Sequence, residues 1–478
     1  MLYQIEMIKI DNIYHIQAII EQETGEIISL EDFINLNGIV FVSNLNIAFF
    51  DIIQFLKSKK YRNVFEVQKN RQYSFAYKNG ECLNIKIRHD NSQLIISNFE
   101  KKFLRDFSDH ETNKKLLDYS YSNNRLASSL GVDAFNEWLQ STYKCKKQTI
   151  NINACREIFR QDYPIIKDDI LERAKESTSG YQFAKQGYYN NIYHYDIKSS
   201  FPAQYINDTP IGKPREFNSF EDIPPSYFYI VKFTAIDIKL NTNKIDFLNI
   251  NDKNVLTFVL TKHLFELFKI NYSYYQLKIK RITAFKTRKG RFSSFLQKTV
   301  LDGKLNEFDK VIAKYNKGIA NSLNGYFGKN TISIRTKFSN GKLIEKREET
   351  PPVYLPIYLF VTGKSKAEFI KTLQRIGLNN IIYANTDGFL SSEPIDIDWL
   401  NFGRGGLGAF SEKPKFKEIF IECVNGYAGI YEDGTIDNTI SGMKTLSKLS
   451  VEEYMSKSYD YVIHEITSDG ICERVVHR

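Results

Sequence analysis

At 478 residues the chain exceeds one ordinary domain, so two or more lobes are expected. Charged residues make up 25% and apolar residues 42%, a balance that excludes wholesale disorder. Lys and Arg total 65 against 56 acids, a net charge of +9 whose sign suits a polyanionic partner but whose size selects none.

Residues 1–60 alternate short β-like runs (YHIQAII, GIVFVSN) with the helical stretch FFDIIQFLKSKK, an α/β pattern. Residues 100–180 are mostly polar-helical, with KKLLDYSYSNNRLASSL and DAFNEWLQSTY as expected helices. The texture changes near 185–190, where the main boundary is placed. A strand (NIYHYDI) runs into a loop at SSFP, followed by several strands and the short helix TKHLFELFK. One long helix is expected over roughly 293–323, then a Lys/Glu-rich hairpin turning at Asn340-Gly341, a dipeptide that favours a tight primed turn. The helix KAEFIKTLQRI leads into the hairpin IIYANTDGFL.

Five cysteines (Cys82, Cys145, Cys155, Cys423, Cys472) are scattered, without a C-x-x-C pair or a nearby zinc-spaced His, and read as reduced thiols. No apolar run approaches the roughly 20 residues of a membrane span, and MLYQIEMIKI carries no signal-peptide pattern. A cytoplasmic protein away from the membrane is expected. The 35 Phe and 30 Tyr provide many rings able to stack on bases, although an AT-rich gene explains them equally well.

In HYDIKSSFPAQ an apolar strand delivers Asp196 at its end, and Pro202 interrupts regular structure. In IIYANTDGFL two apolar half-strands present Asp387 at a tight turn. Carboxylates brought together at adjacent strand ends can hold two Mg²⁺ ions for in-line phosphoryl transfer, though either Asp alone reads as an ordinary turn residue. Between them, KYNKGIANSLNGYFGK places Lys317 and Asn321 on one helix face, with Gly325 a turn further along. Lys317 could hold a triphosphate as a point charge, or be one of many solvated lysines.

In this order the three segments resemble family B DNA polymerases, whose signatures are an Asp-x-x-Ser-Leu-Tyr-Pro loop, a Lys-x-x-x-Asn-Ser-x-Tyr-Gly helix and a Tyr-x-Asp-Thr-Asp hairpin. They stand here as Asp196-Ile-Lys-Ser-Ser-Phe-Pro202, Lys317-Gly-Ile-Ala-Asn-Ser-Leu-Asn-Gly325 and Tyr383-Ala-Asn-Thr-Asp387. Pro352-Val-Tyr354, Pro356, Tyr427 and the Ser-Gly-Met-Lys run ending at Lys444 resemble the protein-primed branch of small linear-genome phages. The resemblance implies an α+β right-hand polymerase (palm, fingers, thumb) with an N-terminal RNase H-like α/β exonuclease-type domain. Two Mg²⁺ ions, with Mn²⁺ able to substitute, would sit on Asp196, Asp387 and the Ile197 carbonyl. Ser199, Ser200, Phe201, Lys317, Asn321, Gly325 and Lys366 would line the incoming nucleotide, Phe201 replacing the tyrosine that screens out a ribose 2′-hydroxyl. Tyr383, Tyr427 and Lys444 would touch primer or template. The implied partners of a monomer in the bacterial host cytoplasm are primer–template DNA, deoxynucleoside triphosphates and a priming terminal protein.

The chain departs from the family at Asn385 for the first hairpin Asp, Asn324 for the helix Tyr, and Asn425 for a primer-contacting Lys. The editing motifs depart further. Phe41-Val-Ser-Asn-Leu-Asn46 resembles the second motif, but its Asp falls on Ala48, with Asp51 the register-slipped alternative. Tyr121-Ser-Asn-Asn-Arg125 carries Arg where the third motif has Asp, and Gln4-Ile-Glu6 keeps a single acid of the first. The N-terminal lobe is therefore expected to be catalytically inactive. It would hold single-stranded template or a priming partner through residues such as Lys57, Tyr61, Arg62, Tyr73 and Tyr77. The implied division is 1–185 exonuclease-like, 186–230 palm, 231–290 palm with a shortened first insertion, and 291–328 fingers. A shortened second insertion follows at 329–351, then palm at 352–445 and thumb at 446–478. Two alternatives stay open: a non-catalytic paralogue that binds nucleic acid or replication proteins, and a template-independent nucleotidyltransferase.

Overall fold

The computed structural model describes residues 2–10, 13–21, 24–42, 45–63, 72–78, 81–88, 93–98, 130–143, 158–250, 255–301, 310–329, 331–339, 342–350, 352–402, 405–440, 449–457, 460–466 and 471–477. The N-terminal sheet starts with the antiparallel strands Leu2–Ile10 and Ile13–Glu21. Gly38–Val42 and Gln93–Asn98 then add in parallel on the far side of the first strand. Helix Leu45–Ser58 covers this sheet because Leu45, Phe49, Ile52 and Leu56 recur at helical spacing and are buried against Ile5, Val40, Ile85 and Ile96.

The second sheet has seven strands, in the order Ile436–Ile440, Gly426–Tyr431, Phe410–Cys423, Gly187–Ile197, Gly388–Ser391, Ile381–Asn385, Gln182–Ala184. Every neighbouring pair is antiparallel, and the strand ending in Asp196 and Ile197 lies at the centre. A four-stranded sheet (Thr209–Phe217, Gln276–Arg288, Tyr227–Ile236, Val255–Thr261) and helices Lys262–Asn271 and Leu355–Ile376 complete this half. Pro356 falls in the first turn of the last helix, where its missing N–H breaks no helical bond.

Several expectations change. The boundary near 185 splits a continuous core. Helix Leu130–Tyr143 and helix Asp169–Ser177 bury Phe135, Trp138, Ile170 and Leu171 in one cluster with Phe292, Tyr315, Phe327 and Tyr354. Trp138 Nε1 donates to the Arg291 carbonyl at 3.0 Å, tying that helix to the segment after strand Gln276–Arg288. An aromatic buried this completely is worth about 3–5 kcal/mol when truncated, so this packing outweighs chain order. The single helix expected over 293–323 is described as Ser293–Leu296, a wider turn at Gln297–Leu301, and a helix Lys310–Gly328 running five residues further than expected. Tyr61 and Tyr73 are core residues of the N-terminal sheet, only 8% and 3% exposed, so neither ring is available to a base. The side chains of Arg62 and Tyr77, and all of KKLLDYSYSNNRLASSL but its final Leu130, lie outside the described residues.

The hairpin Thr331–Ser339 and Lys342–Thr350 pairs Ser339 with Lys342, leaving Asn340-Gly341 as the two-residue connection, and it packs beside strand Gln72–Lys78. The terminal hairpin Asp460–Ile466 and Ile471–His477 joins the N-terminal sheet through a pairing of Ile13 with Cys472. Both contacts bring distant parts of the chain against the N-terminal lobe.

Candidate active site

Strand register brings the two aspartates together. Asp196 is paired with Gly388 on one side and Ser411 on the other, and the Ile197 N–H donates to the Asp387 carbonyl at 2.9 Å. A Cβ on Gly388 would stand 3.3 Å from the Tyr195 carbonyl oxygen and 3.5 Å from Asp196 Oδ1, so the two strands run close together beside the carboxylate. The turn that carries Asp387 is tight and braced. Thr386 takes φ +60°, uncommon for a β-branched residue, and its N–H donates to the Tyr181 carbonyl at 2.9 Å. Gly180 packs so closely on this turn that a Cβ there would meet Thr386 Oγ1 at 2.3 Å.

Burial and the nearby negative charge of Asp196 push the Asp387 carboxyl up to about 6, against the opposing pull of Lys317 and Lys413. Lys413 Nζ lies 3.2 Å from Asp196 Oδ2. The four charges thus form one cluster, in which helix Lys310–Gly328 contributes Lys317 and the strand Phe410–Cys423 contributes Lys413. Sequence reasoning missed Lys413 because Glu412-Lys-Pro-Lys-Phe-Lys417 is lysine-rich and only the strand register selects one of its lysines.

Asn385 and Asn425, replacements that the sequence sets far apart, meet. Asn385 Nδ2 donates to Asn425 Oδ1 at 2.7 Å, while Asn385 Oδ1 accepts from Gln182 Nε2 and Thr386 Oγ1, each at 3.2 Å. The Tyr383 hydroxyl accepts the Asn425 N–H at 3.3 Å, and its ring lies 5.7 Å from that of Tyr427. The Tyr427 hydroxyl donates to Asp437 Oδ2 at 3.2 Å. Tyr383, Asn385, Asn425 and Tyr427 line a cleft of about 190 Å³ that also takes in Asp196, Asp387 and His194, whose imidazole is shifted down by burial.

On helix Lys310–Gly328, Lys317, Asn321 and Gly325 form an exposed stripe, while Tyr315, Ile319, Leu323 and Phe327 are buried on the opposite face. No protein atom lies within 4 Å of a Cβ placed on Gly325. Asn324 points inward, where Tyr205 donates to its Oδ1 at 3.4 Å. The side chain of Phe201 leans on the apolar core. Ser199 takes the left-handed backbone conformation that starts helix Ser200–Gln204.

Two implied nucleotide contacts are committed elsewhere. The Ser200 hydroxyl is buried 2.7 Å from that of Ser365. Lys366 is buried, donates to the Ser177 carbonyl at 2.9 Å, and is shifted down to about 8 by desolvation. Ser200 therefore ties its short helix to helix Leu355–Ile376, and Lys366 ties that helix to Asp169–Ser177. Lys444 and the Tyr121–Arg125 motif lie outside the described residues.

Among the described residues no group of three or more His, Cys, Asp or Glu side chains could hold a metal ion. A magnesium ion nevertheless fits two carboxylates and a backbone carbonyl, because it keeps several waters and takes further oxygens from bound phosphates. Burial and then repulsion by Asp196 raise Asp387, and such an ion would relieve the repulsion. The N-terminal lobe differs. Ala48 is fully buried in the apolar core, and Asp51 Oδ2 accepts the Ile16 N–H at 2.6 Å, with His15 Nδ1 at 3.3 Å from its other oxygen. Asp51 is thus a structural brace for the second strand.

A family model described as "DNA polymerase type B, organellar and viral" matches residues 114–392. The chain belongs to that family. The DNA polymerase of Streptococcus phage Cp-1 is 27% identical over 284 residues, 52% of this chain and 48% of the relative, so the chain matches about half of that relative's length. A structure of Phi29 DNA polymerase with primer–template DNA superposes with a TM-score of 0.82 at 17% identity, covering 100% of this chain and 99% of that one. Its complex with primer–template DNA and incoming nucleotides gives 0.80, with the same identity and coverage. The fold is therefore that of a right-hand type B polymerase with polymerase and exonuclease-type domains.

Proposed function

We propose that the chain is a template-directed DNA polymerase that extends a primer with deoxynucleoside triphosphates and does not edit what it adds. The carrying observation is the cluster of Asp196, Asp387 and Lys317, in which a raised carboxyl at Asp387 faces a second carboxylate and a fingers lysine. In the reaction the primer 3′-hydroxyl oxygen bonds to the α-phosphorus, the bond to the bridging oxygen of the β-phosphate breaks, and pyrophosphate leaves. Two Mg²⁺ ions, when bound, would stabilise the attacking and leaving oxygens. Asp196 and Asp387 would hold them, with the Ile197 carbonyl. Lys317 would neutralise the triphosphate, and the open stripe at Asn321 and Gly325 would receive the new base pair. Phe201 would exclude a ribose 2′-hydroxyl, and Tyr383 and Tyr427 would support the primer end. Primer–template DNA is the proposed partner because the similar Phi29 structures hold it.

Loss of editing is supported by buried Ala48, by the commitment of Asp51 to the Ile16 amide and by Arg125 in the sequence. A second reading, a non-catalytic primer–template binder, draws support from the neutral Asn385–Asn425 pair and the lysine on Asp196. Primer extension separates the two. Wild type should add the templated nucleotide in Mg²⁺ or Mn²⁺, and Asp196→Ala and Asp387→Ala should each lose at least about a thousandfold, the scale of removing a charge-stabilising group. Equal extension by all three proteins would refute the assignment of the site. Binding of primer–template without extension would establish the second reading.

A further inference from the structure

We propose that Lys413 is a resident counter-cation of this centre, one that holds Asp196 in the metal-free protein and must release it when a divalent ion binds. It thereby sets the metal concentration at which the centre fills. The inference rests on the polymerase reading of Asp196 and Asp387.

Lys413 sits opposite His194 in the strand ladder, one inward-facing position from Asp196, and its ammonium is 3.2 Å from the Asp196 carboxylate. A divalent ion and this ammonium need the same oxygen. The centre has little else with which to attract the ion. Asn385, on the same hairpin, has an amide oxygen that already accepts hydrogen bonds from Gln182 and Thr386. Asp387 is the remaining carboxylate, and a neighbouring lysine on each side opposes its charge. The lysine can leave, because its side chain is 35% exposed and that of Asp196 is 28% exposed. Its long stem allows the ammonium to swing into the cleft while the strand stays in place. Lys415, two residues along the strand, is not part of the device. Its ammonium pairs with Glu432 at 3.6 Å and lies over the Tyr193 ring.

The test is Mn²⁺ binding to the full chain without DNA or nucleotide, read by the electron paramagnetic resonance of the free ion at fixed pH. Lys413→Gln should tighten binding by about fivefold, the upper range for losing a partly exposed competing ion pair. Lys413→Arg should bind as wild type does, because it restores the charge. Lys415→Gln removes an equal charge away from Asp196 and should change the affinity by less than about twofold. Unchanged affinity in Lys413→Gln, or equal tightening in Lys415→Gln, would overturn the proposal while leaving the polymerase reading intact. Wild-type binding indifferent to both Asp196→Asn and Asp387→Asn would overturn both.

Discussion

Asp387 concentrates the chemistry of the site in one residue. Its carboxyl rises from the ordinary 3.8 to about 6, first through burial and second through Asp196. Between those values the folded chain holds a proton that the unfolded chain has released, so metal-free stability falls as the pH rises from about 4 to about 6 and stays low above it. Asp387→Asn removes that penalty. The variant should therefore melt at a higher temperature than wild type at pH 8 in a chelating buffer, with the difference closing as the pH falls through 6 towards 4. Thermal melts across that range check this, and a difference independent of pH would contradict it. Gly325 makes a complementary point. Its lack of a side chain relieves no protein contact, so the open space belongs to whatever docks on the stripe.

At the scale of elements, the carboxylate hairpin depends on a segment far from it in sequence. Gly180 and Tyr181 hold Thr386 in its left-handed conformation, and the Gln182–Ala184 strand pairs with Ile381–Asn385. A methyl group at 180 would overlap Thr386 Oγ1 and push the turn that presents Asp387. Gly180→Ala should lower primer extension by at least about tenfold, since small misplacements of reacting groups are costly, and should leave primer–template affinity within about twofold. Extension at the wild-type rate would show that the turn needs no brace. Much of the site was legible in sequence: apolar half-strands ending in Asp, and a helical i, i+4 pair at Lys317 and Asn321, fix local geometry. The meeting of Asn385 with Asn425, the choice of Lys413 among neighbouring lysines, and the role of Gly180 depend on strand register between distant segments, which local pattern does not carry. The burial of Lys366 and Ser200 was not legible for the same reason: a helix shows which residues share a face but not which face meets the core.

Across the whole molecule, the polymerising half is larger than the sequence texture suggested. Helices Leu130–Tyr143 and Asp169–Ser177 belong to its core, because Phe135, Trp138 and Leu171 find their apolar partners there. The N-terminal lobe keeps an α/β sheet and a covering helix, with Ala48 fully buried in its apolar core. The described hairpins at Thr331–Thr350 and Asp460–His477 reach back to this lobe, which ties it structurally to distant parts of the chain. The most direct measurement follows one primer labelled within its chain and annealed to a longer template, with and without the four deoxynucleoside triphosphates, in Mg²⁺ and then Mn²⁺. The account predicts that the primer lengthens to the end of the template when nucleotides are present and keeps its length when they are withheld. A primer that shortens without nucleotides in a protein carrying Asp196→Ala, or that never lengthens in wild type under either metal, would contradict it.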